Sequence, residues 1–246
     1  MKNAEWQLQD RVTLITGATG YLGRALAKAF GAAGARLFLT GRNEDALAVL
    51  AKELEARAIV ADFAEESAAS SVVNQVLAEA NRIDTLILNA GTLADGLVAG
   101  LTDDELSRVY EVNLLAAFRM LREALKPMIL NRSGNVIAVS STAAQRPGVG
   151  QAAYASSKAA LESFVRITAR ETANRGIRIN AVAPGLLEGG LSLRILDEHM
   201  DQARASIPMR RPGQAEEVVP VVLFLASSMS SYVTGQVWCV DGGFTA

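Results

Sequence analysis

VTLITGATGYLG, residues 12–23, runs from five residues of strand character into three glycines, Gly17, Gly20 and Gly23, and the helical run RALAKAFGAAG (24–34) follows. A glycine-rich link between strand and helix has two readings. It is a tight turn, or it cradles the phosphates of a nucleotide. In the second case one glycine makes the turn, one lets backbone approach the pyrophosphate, and one lets the helix pack close on the strand. The rest of the chain has to choose between them.

Short β-branched or leucine-rich runs recur along the chain: VTLIT (12–16), RLFLT (36–40), AIVA (58–61), DTLIL (84–88), NVIAVS (135–140), RINAVA (178–183) and QVWCV (236–240). Helical stretches separate them. One starts at TDDEL (102–106), where Thr102 and Glu105 form a capping box, and is expected to run to about Leu130. Seven strands joined by crossover helices predict an α/β fold, a single-domain Rossmann-like doubly wound parallel sheet with helices on both faces. No Pro/Gly/Ser-rich linker, repeat or low-complexity segment interrupts the pattern, so residues 1–246 read as one domain. Ligands of such a sheet sit beyond the carboxyl ends of the strands, where helix N-termini present free N–H groups. That context favours the nucleotide reading of the glycines.

Composition bounds the function. The 246 residues are 50% hydrophobic, enough for a large core, and with aromatics at 5% that core must be built of Ala, Val, Leu and Ile. A net charge of -2 gives no general electrostatic reason to bind nucleic acid or an anionic membrane. One cysteine, Cys239, excludes an internal disulfide framework and a multi-cysteine metal site, and no metal is expected. MKNAEWQLQDRVTLIT (1–16) is too polar for a signal peptide, and no apolar run approaches spanning length, so a cytoplasmic location is expected.

The end of the second strand indicates which nucleotide. An acidic residue there would hold the free ribose 2′-OH of NAD. This chain reads LTGRN (39–43): Gly41 stands at the acidic position, Arg42 follows, and Thr40 can add a hydroxyl donor. A guanidinium suits a 2′-phosphate, which points to NADPH. The alternative is that Arg42 merely solvates the start of the helix beginning NEDAL (43–47). Farther on, YASSK (154–158) puts Tyr154 and Lys158 on one face of a helix. A free phenol, with a pKa of about 10, is a poor acid at neutral pH, and a neighbouring ammonium would lower it. Taken alone, that spacing also arises by coincidence on an amphipathic helix. His199 reads as a surface residue, Cys239 as a small core residue, and PMRRPG (208–213) as a solvated loop.

The constellation is more specific than its parts. TGATGYLG (16–23), NAG (89–91), Asn113, Ser141, YASSK and PG (184–185) stand in the order and spacing of the short-chain dehydrogenase/reductase superfamily. The resemblance runs from Arg11 to TGQVWCVDGG (234–243), and the chain looks most similar to the branch containing 3-oxoacyl-[acyl-carrier-protein] reductases. By that resemblance Tyr154 is the general acid that protonates a carbonyl oxygen as hydride arrives from the nicotinamide. Lys158 would hold the nicotinamide ribose and lower the phenol pKa. Ser141, rather than its neighbour Ser140, would hydrogen-bond the substrate oxygen, and Asn113 would hold a water of the proton relay. Asp62 would meet the adenine and Asn89 would stabilise the loop around the cofactor. Further cofactor contacts are implied at Thr19, Tyr21, Leu22, Phe63, Ala90 and Gly91, and at Pro184, Gly185 and Leu187.

Two positions depart from the pattern. Tyr21 occupies the middle glycine of the TGxxxGxG usual in the single-domain branch, so the chain spells TGxxGxxG, with Gly20 left to make the close approach and Tyr21 to begin the helix. Gly189 stands where relatives often carry a threonine that touches the nicotinamide carboxamide.

The resemblance implies an NADPH-dependent carbonyl reductase acting on 3-oxoacyl thioesters. A dehydrogenase of a sugar, polyol or steroid alcohol is the alternative enzyme, and a non-catalytic dinucleotide sensor the alternative class. The segment 186–213 is the expected substrate loop. Helices ELSRVYEVNLLAAFRML (105–121) and AAYASSKAALESFVRITA (152–169) carry apolar or small residues on more than one face, which predicts a homo-oligomer, a tetramer by analogy with single-domain relatives. Arg132 and Arg175 fall where carrier-protein reductases bear docking arginines, and each ends a long helix, where the dipole also favours a cation.

Overall fold

The computed structural model describes Trp6 and residues 8–246, without the side chains of residues 194–199. The expectations for the first residues of the chain and for the His199 side chain lie outside the described residues. The strands are β1 (Val12–Thr16), β2 (Arg36–Gly41), β3 (Arg57–Val60), β4 (Thr85–Leu88), β5 (Gly134–Val139), β6 (Ile177–Pro184) and β7 (Val237–Val240). They pair in parallel in the order β3-β2-β1-β4-β5-β6-β7. Chain order reverses between β1 and β4, so the carboxyl ends of those two strands open the crevice in which such sheets bind ligands.

The helices are α1 (Tyr21–Ala32), α2 (Glu44–Glu53), α3 (Ala68–Ala80), α4 (Asp103–Tyr110), α5 (Ala116–Asn131), α6 (Ala152–Thr172), α7 (Leu193–Ser206) and α8 (Ala215–Ala226). Period-2 alternation in the strands sorts them into two layers. Leu14, Leu86 and Val136 face the layer of α3, α5 and α6, while Ile15, Ile87 and Ile137 face the layer of α1, α2 and α8. Both faces of the sheet are thereby covered with small aliphatic side chains, as a chain poor in aromatics requires.

The capping box forms: the Glu105 N–H donates to Thr102 Oγ1 and the Thr102 N–H to Glu105 Oε2. The helix that starts there does not run uniformly. Residues Glu111–Leu115 form a π-helical turn, with the Ala116 N–H bonded to the Glu111 carbonyl, before α5 resumes. Such turns mark functional positions more often than chance, and this one contains Asn113.

One core assignment is corrected. Cys239 is exposed. The strand that holds it, β7, is an edge strand, so Trp238 packs on Phe224 at 5.6 Å while the opposite face carries the thiol near Gln145. PMRRPG is exposed at its arginines, but Arg211 grips Glu217 through two 2.7 Å bonds at the start of α8. The outer face of α4, α5 and α6 leaves Leu106, Leu115, Phe118 and Ile167 exposed, and the Phe118 ring packs on Phe164 at 4.8 Å. No helix of the described residues is long and apolar enough to cross a membrane.

Candidate active site

The glycine loop is fixed by its neighbours. Gly17 has φ +62°, and a side chain there would come within 2.9 Å of the Ala90 backbone. At Gly23 a Cβ would lie 2.1 Å from the Gly17 carbonyl, so α1 packs directly on the turn. Gly20 is different: its φ is -72° and a Cβ would approach only to 3.3 Å of the Gly17 oxygen. A side chain there would be tight against that carbonyl, though less so than at Gly17 or Gly23. Gly20 caps α1 without a side-chain hydrogen bond, and no acidic residue sits in the first turn. The start of this helix is an uncapped, unobstructed N-terminus facing the crevice, which suits an anionic phosphate.

Asn89 locks the loop from β4. Its Nδ2 donates to the Thr16 and Gly17 carbonyls at 2.8 and 3.1 Å, while the Asn89 and Ala90 N–H groups both donate to Thr16 Oγ1 at 2.8 Å. At the end of β2, a Cβ on Gly41 would press on Thr19 Oγ1 at 3.1 Å, which leaves little room for an acid at that position. Arg42 is exposed and follows it on the wall of the crevice.

These segments line one cavity of about 880 Å³, running from the ends of β1–β3 across β4 to the ends of β5 and β6. Of the cofactor-binding and catalytic residues singled out from the sequence, all but Thr40 and Asn113 line it. Thr40 is fully buried, and its hydroxyl has no hydrogen-bond partner. Strand alternation turns it into the sheet's packing layer, and the structure does not bring it to the cavity. Asn113 lies just beneath the wall. Its amide accepts from the Thr92 N–H and donates to the Thr92 carbonyl and Ser157 Oγ, at 2.8, 2.9 and 3.0 Å. A Cβ on Gly91 would sit 3.5 Å from Asn113 Oδ1 and 3.6 Å from Lys158 Nζ, so both groups meet at that glycine.

Helix α6 presents Tyr154 and Lys158 to the cavity one turn apart, and the end of β5 presents Ser141. Ser141 stands close enough to Tyr154 to favour its phenolate, and its Oγ accepts from the Ala143 N–H at 3.2 Å. The Ser140 hydroxyl points elsewhere, donating to the buried Glu162 at 2.9 Å. Lys158 is buried; its Nζ donates to the Val139 carbonyl at 2.8 Å and stands 5.9 Å from the centre of the Tyr154 ring.

The expected lowering of the phenol pKa is not seen among the protein's own groups. Burial disfavours the phenolate and holds Tyr154 above its ordinary value, with the Ser141 hydroxyl pulling the other way. The ammonium is itself depressed to about 8 by burial. It is engaged with a backbone carbonyl rather than with the phenol oxygen. At neutral pH the arrangement is a protonated phenol beside a hydroxyl and an ammonium, a set that can donate a proton to an oxygen.

Other lining residues escaped the sequence reading. Arg146 sits on the wall in the loop between Ser141 and Tyr154, its guanidinium 4.6 Å over the Phe244 ring and bonded to the Phe244 carbonyl. Its place between two candidate catalytic residues was the available signal; nothing in the sequence marked Phe244. Arg132 and Arg175 lie outside the cavity. They follow the ends of α5 and α6, at the amino-terminal edge of the sheet, with Arg132 donating to the Asn174 carbonyl at 3.0 Å. The cavity is at the opposite edge, so within one chain these arginines do not flank its mouth. Among the described residues no cluster of His, Cys, Asp and Glu could hold a metal ion.

A family model described as enoyl-(acyl carrier protein) reductase matches residues 17–245. The chain is 34% identical over 237 residues to 3-oxoacyl-[acyl-carrier-protein] reductase FabG of Salmonella typhimurium, covering 96% of this chain and 97% of the relative. To nodulation protein G of Rhizobium sp. (strain N33) it is 36% identical over 240 residues, 97% of this chain and 98% of the relative. A Beutenbergia cavernae structure, assigned as an NAD(P)-dependent gluconate 5-dehydrogenase with bound NADP at low occupancy, superposes with a TM-score of 0.92 at 36% identity, covering 97% of this chain and 98% of its own. A short-chain type dehydrogenase/reductase from Mycobacterium marinum gives 0.92 at 30% identity, with 98% of each chain covered. With the match extending over the glycine loop, the Tyr154–Lys158 helix and the closing strand, the chain belongs to the short-chain dehydrogenase/reductase superfamily of oxidoreductases acting on CH–OH groups.

Proposed function

We propose that this protein is an NADPH-dependent carbonyl reductase whose substrate is a 3-oxoacyl thioester carried on acyl carrier protein. The observation that carries the reading is the convergence of Ser141, Tyr154 and Lys158 on the same cavity as an uncapped glycine-bound helix start. Gly17, Gly20 and Gly23 would hold the pyrophosphate, Arg42 the 2′-phosphate, and Asp62 and Phe63 the adenine end. Asn89–Gly91, Lys158 and Pro184–Leu187 would hold the nicotinamide end. When bound, NADPH supplies the hydride.

The chain's own residues then handle the proton. Ser141 donates a hydrogen bond to the carbonyl oxygen, stabilising the charge that develops there. The Tyr154 phenol, kept protonated by burial, gives its proton to that oxygen. The Lys158 ammonium offsets the phenolate left behind. Asn113 fixes the Thr92 backbone and Ser157 beneath them. Leu186, Leu187 and Leu191 give the substrate side of the cavity the apolar character an acyl chain needs.

A second reading, a dehydrogenase of a sugar acid, is favoured by Arg146, a guanidinium on the cavity wall suited to a carboxylate. Following NADPH oxidation with acetoacetyl thioesters beside a panel of ketones, sugars and sugar acids separates the two. Turnover confined to 5-keto sugar acids would replace the first reading with the second.

A further inference from the structure

Tyr21 and Gly189 are far apart in sequence and in direct contact in space. Gly189 is extended, with φ -155° and ψ -176°, a conformation open to any residue. What excludes a side chain is the Tyr21 ring: a Cβ on Gly189 would fall 2.7 Å from its Cγ and Cδ2 and 2.9 Å from its Cε2. The next residue, Gly190, has φ +68°, and a Cβ there would lie 3.2 Å from Tyr21 Cβ. The Tyr21 side chain therefore packs against two consecutive glycines, its ring at Gly189 and its Cβ at Gly190. The loop holding those glycines is tied at its neck, where the Gly213 N–H donates to the Leu186 carbonyl at 2.9 Å and the Glu188 N–H to the Gly213 carbonyl at 2.8 Å. Tyr21 is also the first residue of α1, directly after Gly20. Both partners line the cavity.

We infer that Tyr21 is a positioning residue that pins the segment 186–192 to the phosphate-binding start of α1, and that Gly189 is its socket. The packing stands on its own, whereas the consequence for the cofactor rests on the nucleotide reading above. If the pin couples the two segments, ordering the glycine loop also orders the substrate wall, and the coupling is reciprocal.

The test is backbone hydrogen exchange of peptides covering 17–23 and 186–192, with and without NADPH, in four variants. In Tyr21→Ala, exchange in 186–192 should speed up by about tenfold while the β5 peptide stays unchanged. Gly189→Ala should do the same by displacing the ring, at a similar roughly tenfold scale. The double variant should exchange no faster than either single one, because both remove one contact. Tyr21→Phe, which keeps the ring, should behave as the wild type. In the wild type, NADPH should slow exchange in both peptides, and in Tyr21→Ala in 17–23 alone. Unchanged exchange in Tyr21→Ala, or additive effects in the double variant, overturns the pin. Protection by NADPH of 17–23 alone in the wild type overturns the coupling and leaves the nucleotide reading intact. Protection of neither peptide overturns the nucleotide reading, and the coupling with it.

Discussion

Replacing Lys158 by methionine should remove a pH-dependent term from the stability of the fold. The ammonium is buried, and burial lowers its pKa from 10.5 to about 8. At about 1.4 kcal/mol per pH unit, the depression is worth roughly 3 kcal/mol. Its sign follows from proton counting: between pH 8 and 10.5 the unfolded chain keeps the lysine proton that the folded chain has lost, so stability rises with pH there. Below about pH 8 both states are charged, and the folded state bears the full cost of burying the ammonium. Methionine is close in length and does not titrate. The measurement is urea unfolding of both proteins, without cofactor, from pH 7 to 10.5. The difference in unfolding free energy, wild type minus variant, should climb by about 3 kcal/mol across that window. A flat difference would refute the claim that the ammonium is held in a low-dielectric site, and with it the argument that Lys158 offsets a phenolate there.

The remaining predictions concern cofactor, assembly and partner. Arg42→Ala should weaken NADPH binding by roughly ten- to a hundredfold, from the loss of a charge-assisted contact of about 1.5–3 kcal/mol, and leave NADH binding unchanged; titration by fluorescence reads both, and an unaltered preference would assign the 2′-phosphate to another residue. Light scattering at micromolar protein should give the mass of a tetramer, since Leu106, Leu115, Phe118 and Ile167 form an exposed apolar face and Trp238 another at the edge strand; a monomer mass would contradict this. In such an assembly a twofold pairing of antiparallel helices sets the amino edge of one sheet beside the partner's carboxyl edge. Reversing Arg132 and Arg175 to glutamate should therefore lower turnover of the carrier-bound thioester steeply, weaken the salt dependence of what remains, and spare a small free thioester. Equal loss on both substrates, or on neither, would make these arginines helix ends only.

Much of the fold is legible in the sequence because parallel α/β folds write their layers into it. Strands covered on both faces appear as near-continuous aliphatic runs, and their ends mark where ligand-binding loops begin. All seven runs became strands, with ends shifted by a residue at most. What failed did so for local reasons. The place of Thr40 near the strand end suggests the cavity, but side-chain alternation turns it inward. Residue type suggests a core position for Cys239, while its strand lies at an open edge. The π-turn around Asn113 leaves no mark in a hydrophobic pattern. The Tyr21–Gly189 contact joins two departures that looked independent in sequence. Sequence position alone does not place Arg132 and Arg175, and the topology sets them across the sheet from the cavity.

The central claim is that the Tyr154 phenol delivers a proton within a dinucleotide-loaded cavity. Its most direct test is Tyr154→Phe, comparing NADPH binding by fluorescence with NADPH oxidation on an acetoacetyl thioester. Loss of a positioned acid should lower turnover by about 10²- to 10⁴-fold, while NADPH still binds as in the wild type. Near-normal turnover with intact binding would contradict the account.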